Sequence, residues 1–158
     1  FGSSISIAGI SRGLLFSQFP GIDRTLAMLK GRVSLSIAAR DAIVLSADMP
    51  PVDFAGDVPT SAELIGDTAT DLNVMTRRGM FSARMTRRNC ADAITASSDA
   101  AVAFIFPLTA ATLRGTLADI PLIPGDAVFL APGESAELHA PPQAAFYGVE
   151  IFQAGKPA

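Results

Sequence analysis

Apolar and polar residues alternate along much of this chain. Within residues 32–38, Val33, Leu35 and Ile37 fall on one side of an extended segment, with polar or small residues between them. A period of two is the pattern of a β-strand with one buried face. The same alternation, or a short apolar run, recurs at residues 1–8, 71–77, 81–86, 101–106, 127–130 and 146–152. The pattern therefore predicts a fold built from many strands.

Glycine and proline divide these segments into pieces of strand length. The 158 residues include 13 glycines and 11 prolines, which suit tight turns and interrupt long helices. Only residues 92–98 and 109–113 leave room for a short helix. We therefore expect an all-β protein, a mainly antiparallel sandwich or barrel.

A short sequence repeat indicates two related halves. Ser-Ala-Glu-Leu occurs at residues 61–64 and again at residues 135–138, each time after a Gly-Asp pair and a proline. Four-residue matches also arise by chance, which is the alternative; a true repeat means two similar β units. The strand around Val74 that follows the first copy is rich in polar residues, whereas the strand around Val149 is largely apolar. A pocket with polar chemistry is therefore expected in the first half.

Composition narrows the class of protein. With 49% hydrophobic and 17% charged residues, the chain can bury a sizeable core in one domain. Its net charge of −3 provides no general attraction to nucleic acid or to anionic membranes. The apolar runs are too short to span a bilayer, and no secretory signal is visible. We therefore expect a cytoplasmic protein with neither nucleic-acid nor membrane partners.

Three segments are more polar than a β domain without a binding site requires: residues 16–24, 54–59 and 71–79. Because side chains alternate across a strand, one face of the third segment carries Asp71, Asn73, Met75 and Arg77. The residues between them form the packed face. An acid, an amide, a thioether and a guanidinium in one row suit the wall of a small cavity that binds a carboxylate. The alternative is a solvated sheet face.

The same segments resemble the motifs of a known family. Phe-Ser-x-Phe-Pro-Gly-x-Asp-Arg, Phe-x-Gly-Asp-x-Pro and Asp-x-Asn-Val-Met-x-Arg-Arg-Gly follow one another in the order and spacing of the HutD/Ves family. The resemblance implies a bicupin. Its two cupin-like antiparallel barrel or sandwich halves, about residues 1–90 and 91–158, would be packed as one unit. It also implies a bacterial protein linked to histidine utilisation or to stress.

The resemblance also implies a function, and this sequence departs from the family pattern at one point. The family's proposed role is to sense or limit histidine degradation by binding an intermediate such as formylglutamate. Its members usually begin with a segment of the Trp-Lys-Asn-Gly-Gly type, and this sequence has no Trp. We therefore expect that an N-terminal family segment is missing, together with any ligand contact that it supplies.

Residues for metal or nucleophilic chemistry are scarce. His139 is the single histidine and Cys90 the single cysteine, whereas a cupin site for a transition metal needs two or three histidines and a carboxylate. Arginines close to Cys90 in the sequence would lower a thiol pKa, but no histidine is near it. A Gly-x-Ser-x-Gly elbow is also absent from the sequence. We predict no metal, no cofactor and no catalytic residue.

Five of the ten arginines lie within residues 77–88, because Met-Thr-Arg-Arg occurs twice. On two adjacent strands they would form a positive patch that suits an anionic metabolite. One alternative is a surface paired with Asp71 and Asp92. Nucleic acid is a weaker alternative, since the cluster lacks the interleaved aromatic residues of single-strand binders.

We expect the first half to bind a small anionic metabolite without catalysing a reaction, with a regulatory role in histidine utilisation. Arg24 and Arg77 are the candidates for carboxylate recognition, and Asn73 is the candidate for orienting the ligand. Met75 shares the face of Asn73 and Arg77. The family resemblance is also compatible with a homodimer.

Two further acids complete the predicted ligand site. Asp23 and Asp57 are expected to hold the arginines or the turn. They also define the alternative function, a metal-free hydrolase or isomerase acting on a small carboxylic acid, with Asp23 or Asp57 as general base. A carboxylate beside arginines usually has a lowered pKa and is then a poor base at neutral pH, which favours the binding protein.

Overall fold

The computed structural model describes residues 2–89 and 93–155, and the regular secondary structure within them is entirely β-strand. The strands are β1 (Ser3–Ile10), β2 (Leu14–Leu15), β3 (Ile22–Ile37), β4 (Ile43–Ser46), β5 (Val52–Ala55), β6 (Thr60–Arg77), β7 (Phe81–Asn89), β8 (Ile94–Thr95), β9 (Val102–Pro107), β10 (Ala111–Leu113), β11 (Ile120–Leu122), β12 (Val128–Leu130), β13 (Ser135–Ala136), β14 (Leu138–His139) and β15 (Ala145–Gln153). The predicted all-β class is confirmed. The prediction that residues 109–113 could form a short helix is wrong, because this segment contains β10.

The chain divides into two compact units, Phe1–Ser82 (unit 1) and Ala83–Ala158 (unit 2). Unit 1 holds a six-stranded sheet of order β1-β6-β3-β4, in which β2 also pairs with β6 and β5 with β3. Unit 2 holds three smaller sheets, of order β12-β9-β15-β7, β11-β10-β14 and β13-β8. The strand pairs among the described residues are antiparallel, as the dense turns of the sequence predicted.

The long antiparallel pair β3–β6 organises unit 1. Its register shifts on either side of Lys30. A shift of this kind changes which alternate residues face the core. Leu26 and Met28 are therefore buried before the shift, and after it the buried residues are the predicted Val33, Leu35 and Ile37. Both sets belong to one hydrophobic cluster.

The sequence repeat corresponds to a structural repeat. The first Ser-Ala pair, at residues 61–62, pairs with β2, and the second, at residues 135–136, pairs with β8. An equivalent hydrogen bond adjoins each pairing. The backbone N–H of Phe16 donates to the carbonyl of Thr60 at 3.0 Å, and that of Ala96 donates to Glu134 at 2.9 Å. The two halves are therefore related β units, not a chance match of four letters.

Unit 2 repeats the strand order of unit 1 in shorter pieces. β9 lies between β12 and β15 as β3 lies between β5 and β6, and β7 pairs with β15 as β1 pairs with β6. β10 pairs with β11 and β14 as the second half of β3 pairs with β4 and the start of β6. The core of unit 2 is a separate cluster that includes Ile105, Leu130, Leu138 and Phe146.

Gly31 is the position in the β3–β6 pair where a side chain is least tolerable. Its φ is +73°, and a Cβ atom there would lie 2.8 Å from the Cα of Ala69. We expect Gly31→Ala to lower the free energy of unfolding by about 2 kcal/mol or more, from left-handed strain plus the clash. Gly9→Ala in β1 is the matched control, since a Cβ there meets nothing within 4 Å. Urea denaturation checks both variants, and equal stabilities would contradict this account of the register shift.

Candidate functional site

Unit 1 contains an open cavity of ≈ 220 Å³ between β1, β2, β3 and β6. Its lining combines the polar residues Ser6, Ser17, Arg24, Asp71 and Asn73 with the apolar residues Ala8, Leu14, Leu15, Phe16 and Phe19. The predicted location of polar chemistry in the first half agrees with this cavity. Its size suits a small metabolite.

Strand alternation and register bring the polar side chains of the cavity together. In β6, Asp71 and Asn73 are two residues apart and share one face. On one side they lie opposite Met28 and Leu26 of β3, and Arg24 continues the same alternate series. On the other side, Asn73 lies opposite Ser6 of β1. Three strands thus contribute polar groups to one face.

Arg24 is a buried cation whose direct contacts are uncharged. Only 5% of the Arg24 surface is exposed to solvent. Its Nε donates to Oδ1 of Asn73 at 3.4 Å, and its Nη1 donates to the carbonyl of Ser17 at 3.3 Å. Its guanidinium carbon lies 4.7 Å from the ring centre of Phe16 and 5.6 Å from that of Phe54. Burial lowers the pKa of Arg24 from its ordinary value, and the Asp71 charge opposes this effect.

Asp71 is the buried acid of the cavity. It is 2% exposed, and its Oδ1 has no hydrogen-bond partner within the described parts of the chain. Burial raises the pKa of Asp71 to about 6, against the opposing effects of the Ala8 backbone and the Arg24 charge. No ion pair within 4.0 Å joins Asp71 to Arg24 among the described residues. The two charges therefore interact through the cavity without direct pairing.

Unit 2 shows what the fold builds at the positions equivalent to Arg24, Asn73 and Asp71. Phe54 on β5 is buried and lies opposite Arg24 on β3. Leu130 on β12 is buried and lies opposite Ala103 on β9. Matching the two buried residues places Ala103 at the position of Arg24.

The same alignment replaces the other two polar residues. Glu150 of β15 lies opposite Ala103, as Met75 of β6 lies opposite Arg24. Counting back two and four residues from Glu150 places Gly148 at the position of Asn73 and Phe146 at that of Asp71. The space lined by these residues in unit 2 is only ≈ 30 Å³. The buried set of Arg24, Asn73 and Asp71 is therefore a property of unit 1 and not a requirement of the repeated fold, although Thr86, Arg88 and Glu150 also line the smaller space of unit 2.

A larger hollow in unit 2, of ≈ 340 Å³, has a different character. Its charged residues include Arg114 and Glu137, which lie 3.7 Å apart and are both more than half exposed. An exposed ion pair of this kind contributes little energy and leaves no buried group without a partner. The cavity of unit 1 is therefore the stronger candidate site.

The six residues predicted for the ligand site are not all in the cavity. Arg24 and Asn73 line it. Met75 is half-buried on the same face of β6, directly opposite Arg24, but does not belong to the lining. Arg77, at the end of β6, is exposed and also lies outside the lining. Asp71 is the other charged residue of the lining. Strand alternation predicted that it shares a face with Asn73, whereas its burial depends on the neighbouring strands β1 and β3.

Asp23 and Asp57 are expected to hold Arg24 and Arg77 or the turn, but both pair with Arg78 instead, and this cluster lies outside the cavity lining. Arg78 Nε donates to Asp23 at 2.7 Å, and its Nη1 and Nη2 donate to the two oxygens of Asp57 at 3.1 Å each. The side-chain hydrogen bond from Arg78 lowers the pKa of Asp57. Asp23 and Arg24 are adjacent in β3 and point to opposite faces, so both cannot line one cavity.

The arginine cluster divides between two sheets. Arg77 lies on β6 in the six-stranded sheet, whereas Arg84 and Arg88 lie on β7, which pairs with β15. The expectation of two adjacent strands is therefore wrong. Arg84 forms an ion pair with Glu150 at 2.6 Å. Short sequence distance does not place two strands in the same sheet.

The remaining candidates for chemistry lie elsewhere. His139 is exposed on β14. Cys90 and Asp92 lie outside the described residues. Within residues 2–89 and 93–155, no group of three or more His, Cys, Asp or Glu side chains is arranged to hold a metal ion. The same residues contain no helix with the length and apolar character needed to cross a membrane.

Similarity to solved structures identifies the class of fold. A cupin 2 conserved barrel domain protein from Leptotrichia buccalis matches 96% of this chain and 84% of its own, with a TM-score of 0.60 and 10% identity. The conserved protein PA5104 from Pseudomonas aeruginosa PAO1 matches 98% of this chain and 85% of its own, with a TM-score of 0.80 and 20% identity. The chain therefore has a cupin-like all-β fold.

The family follows from the sequence. The family model HutD matches residues 1–147, so this chain belongs to the HutD family. HutD from Pseudomonas fluorescens SBW25 shares the fold at a TM-score of 0.79 and 21% identity, over 98% of this chain and 81% of its own. Protein Ves from Citrobacter koseri is 35% identical over 81 residues. That match covers 51% of this chain and 42% of Protein Ves, so the chain spans less than half of this curated relative.

Removal of the Asp71 charge should stabilise the protein above about pH 6 and not at low pH. Because the folded pKa is raised to about 6, the folded state holds the proton more tightly than the unfolded chain. Stability is therefore lost as the pH rises from about 4 to about 6. We expect Asp71→Asn to raise the free energy of unfolding by roughly 1–3 kcal/mol near pH 7.5, with little effect near pH 4.

Urea denaturation at both pH values measures this difference. Asp67→Asn, at an exposed position of the same strand, controls for the loss of a carboxylate from β6. The interpretation fails if Asp71→Asn has the same effect at both pH values.

Proposed function

We propose that this protein binds a small carboxylate-bearing metabolite in the cavity of unit 1, without catalysing a reaction on it. The observation that carries the proposal is the environment of Arg24. A buried guanidinium faces an open cavity with no carboxylate within ion-pair distance among the described residues. A buried cation without a paired anion is costly, and a ligand carboxylate would offset that cost.

The surroundings of Arg24 support recognition of a planar anion. Contacts to Asn73, Ser17 and the rings of Phe16 and Phe54 hold the guanidinium from several sides. These contacts leave Nη2 without a hydrogen-bond partner among the described residues. Nη2 and the second N–H of Nη1 then form a preorganised fork that favours two parallel hydrogen bonds to one carboxylate.

Membership of the HutD family supplies the pathway part of the proposal. We propose an intermediate of histidine degradation as the ligand, formylglutamate first, and a regulatory role in histidine utilisation as the outcome of binding. A sensor of a catabolic intermediate would act in the cytoplasm. The support for the ligand class is the charge and size of the cavity, and the support for the pathway is the family.

The enzyme alternative has less support. Asp23 and Asp57, its proposed bases, are both bound to Arg78 and lie outside the cavity lining. The lowered pKa of Asp57 weakens it further as a base at neutral pH. Incubation of the protein with each candidate acid, followed by mass spectrometry, separates the two functions. Unchanged acid agrees with a binding protein, and accumulation of a product would favour the enzyme.

A thermal-shift panel tests the binding function directly. The panel contains urocanate, formiminoglutamate, formylglutamate, glutamate and unrelated dicarboxylates. A ligand at about 100 times its Kd adds roughly 2.7 kcal/mol of stability, which corresponds to a rise of roughly 5 °C or more in Tm for a chain of this size. We expect one histidine-pathway acid to produce this rise selectively.

The role of Arg24 is tested by calorimetric titration of that acid. Arg24→Gln should weaken binding by about 30- to 100-fold, because a charge-assisted hydrogen-bond pair is lost. Arg24→Lys should recover only part of this loss, since an ammonium cannot form the fork. Arg32→Gln, on the same strand but exposed, is the control and should bind normally. Wild-type affinity in Arg24→Gln would overturn the proposed site.

A further inference from the structure

The cavity of unit 1 holds two buried groups of opposite charge that do not pair directly. Arg24 is 5% exposed and Asp71 is 2% exposed, and both belong to the lining. Buried opposite charges in proteins are normally joined by hydrogen bonds, because each otherwise bears the cost of lost hydration. Here the described residues place no ion pair between them, and the open cavity adjoins both groups.

Of the two buried groups, Asp71 has fewer hydrogen-bond partners than Arg24. Arg24 already donates to Asn73 and to Ser17. By contrast, Asp71 Oδ1 has no hydrogen-bond partner among the described residues although the residue is almost fully buried. An acceptor left without a donor in this way is uncommon in a folded protein and calls for a specific explanation. An incoming ligand can supply the missing donor.

The fold itself does not require an acid at this position. In unit 2 the equivalent position on β15 holds Phe146, which packs into the hydrophobic core. Unit 1 therefore maintains a costly buried carboxyl group where an apolar side chain would serve the packing. A role in recognition accounts for this choice.

We propose that Asp71 is a specificity-determining residue that accepts a hydrogen bond from an N–H group of the ligand. This inference rests on the proposed carboxylate binding by Arg24 and adds a second requirement to it. The ligand class is a carboxylic acid with an N–H group on the same small molecule, either an amino acid or its N-acyl derivative. A carboxylic acid without an N–H group can pair with Arg24, but it offers Asp71 no hydrogen-bond donor.

Calorimetric titration of an isosteric pair tests this requirement near pH 7.5. The first probe is N-formylglutamate, and the second is 2-(formyloxy)glutarate, in which an ester oxygen replaces the N–H. We expect the ester to bind about 10- to 100-fold more weakly to the unmodified protein, as is typical when a hydrogen bond to a charged group is lost. Glutamate as a third probe distinguishes an ammonium donor from an amide donor, since the tighter of the two identifies the nitrogen group.

The variant Asp71→Ala tests whether Asp71 causes the discrimination between the amide and the ester. In that variant the amide and the ester should bind within about 3-fold of each other, because the acceptor is gone. Asp67→Ala, on the exposed face of the same strand, should keep the wild-type discrimination. Should Asp71→Ala fail to fold, Asp71→Leu replaces it with a side chain of similar length.

The outcomes separate this inference from the proposed function. Equal binding of amide and ester by the unmodified protein, with weaker binding of both by Arg24→Gln, would overturn the role of Asp71 and leave carboxylate recognition intact. Discrimination that persists in Asp71→Ala would also overturn it. If neither these three acids nor any other acid of the thermal-shift panel binds, both the inference and the proposed function are wrong.

Discussion

The antiparallel register of β3 against β6 is the constraint on which the cavity depends. It places Met28 opposite Asp71 and Met75 opposite Arg24, so that the acid of one strand and the cation of the other reach the same face. A slip of one residue would turn one of the two groups to the other side of the sheet. The register shift at Lys30 keeps this pairing compatible with burial of the second half of β3 in the same core. The shape of the site and the packing of unit 1 are therefore set by one ladder.

The polar residues of the cavity work against the stability of that ladder. Buried charges lose hydration, and neither Arg24 nor Asp71 recovers it through a direct ion pair. The repeat provides an internal comparison, since unit 2 fills the equivalent positions with Ala103, Gly148 and Phe146 and leaves almost no space. Two units of one topology thus differ at three positions, which hold a buried cation, an amide and an acid in unit 1 and small or apolar residues in unit 2. Local conflict of this kind in an otherwise consistent fold is typical of a functional site.

Much of this arrangement follows from local sequence. Alternation predicted the strands, the buried face of Val33, Leu35 and Ile37, and the shared face of Asp71 and Asn73. The repeated Ser-Ala pairs predicted two related units, and the motifs of the first half predicted the family. These successes share a cause, because each depends on spacing within a segment and on the two-residue period of a strand.

The errors and omissions concern contacts between distant segments. The sequence predicts the arginines of residues 77–88 on two adjacent strands, but β6 and β7 belong to different sheets. Asp23 and Asp57 meet at Arg78 through a turn whose geometry no local pattern reveals. The burial of Asp71 requires β1 and β3 on its two sides, and strand order is not visible in a period of two.

The separated charges also explain how such a cavity would avoid trapping the wrong anion. A lone buried guanidinium in an open cavity attracts any small anion, whereas the nearby Asp71 carboxylate opposes this attraction. A simple carboxylate then gains a partner in Arg24 but meets repulsion from Asp71. A ligand with a carboxylate and an N–H group gains from both. Discrimination built from one attractive and one repulsive contact is a general route to specificity.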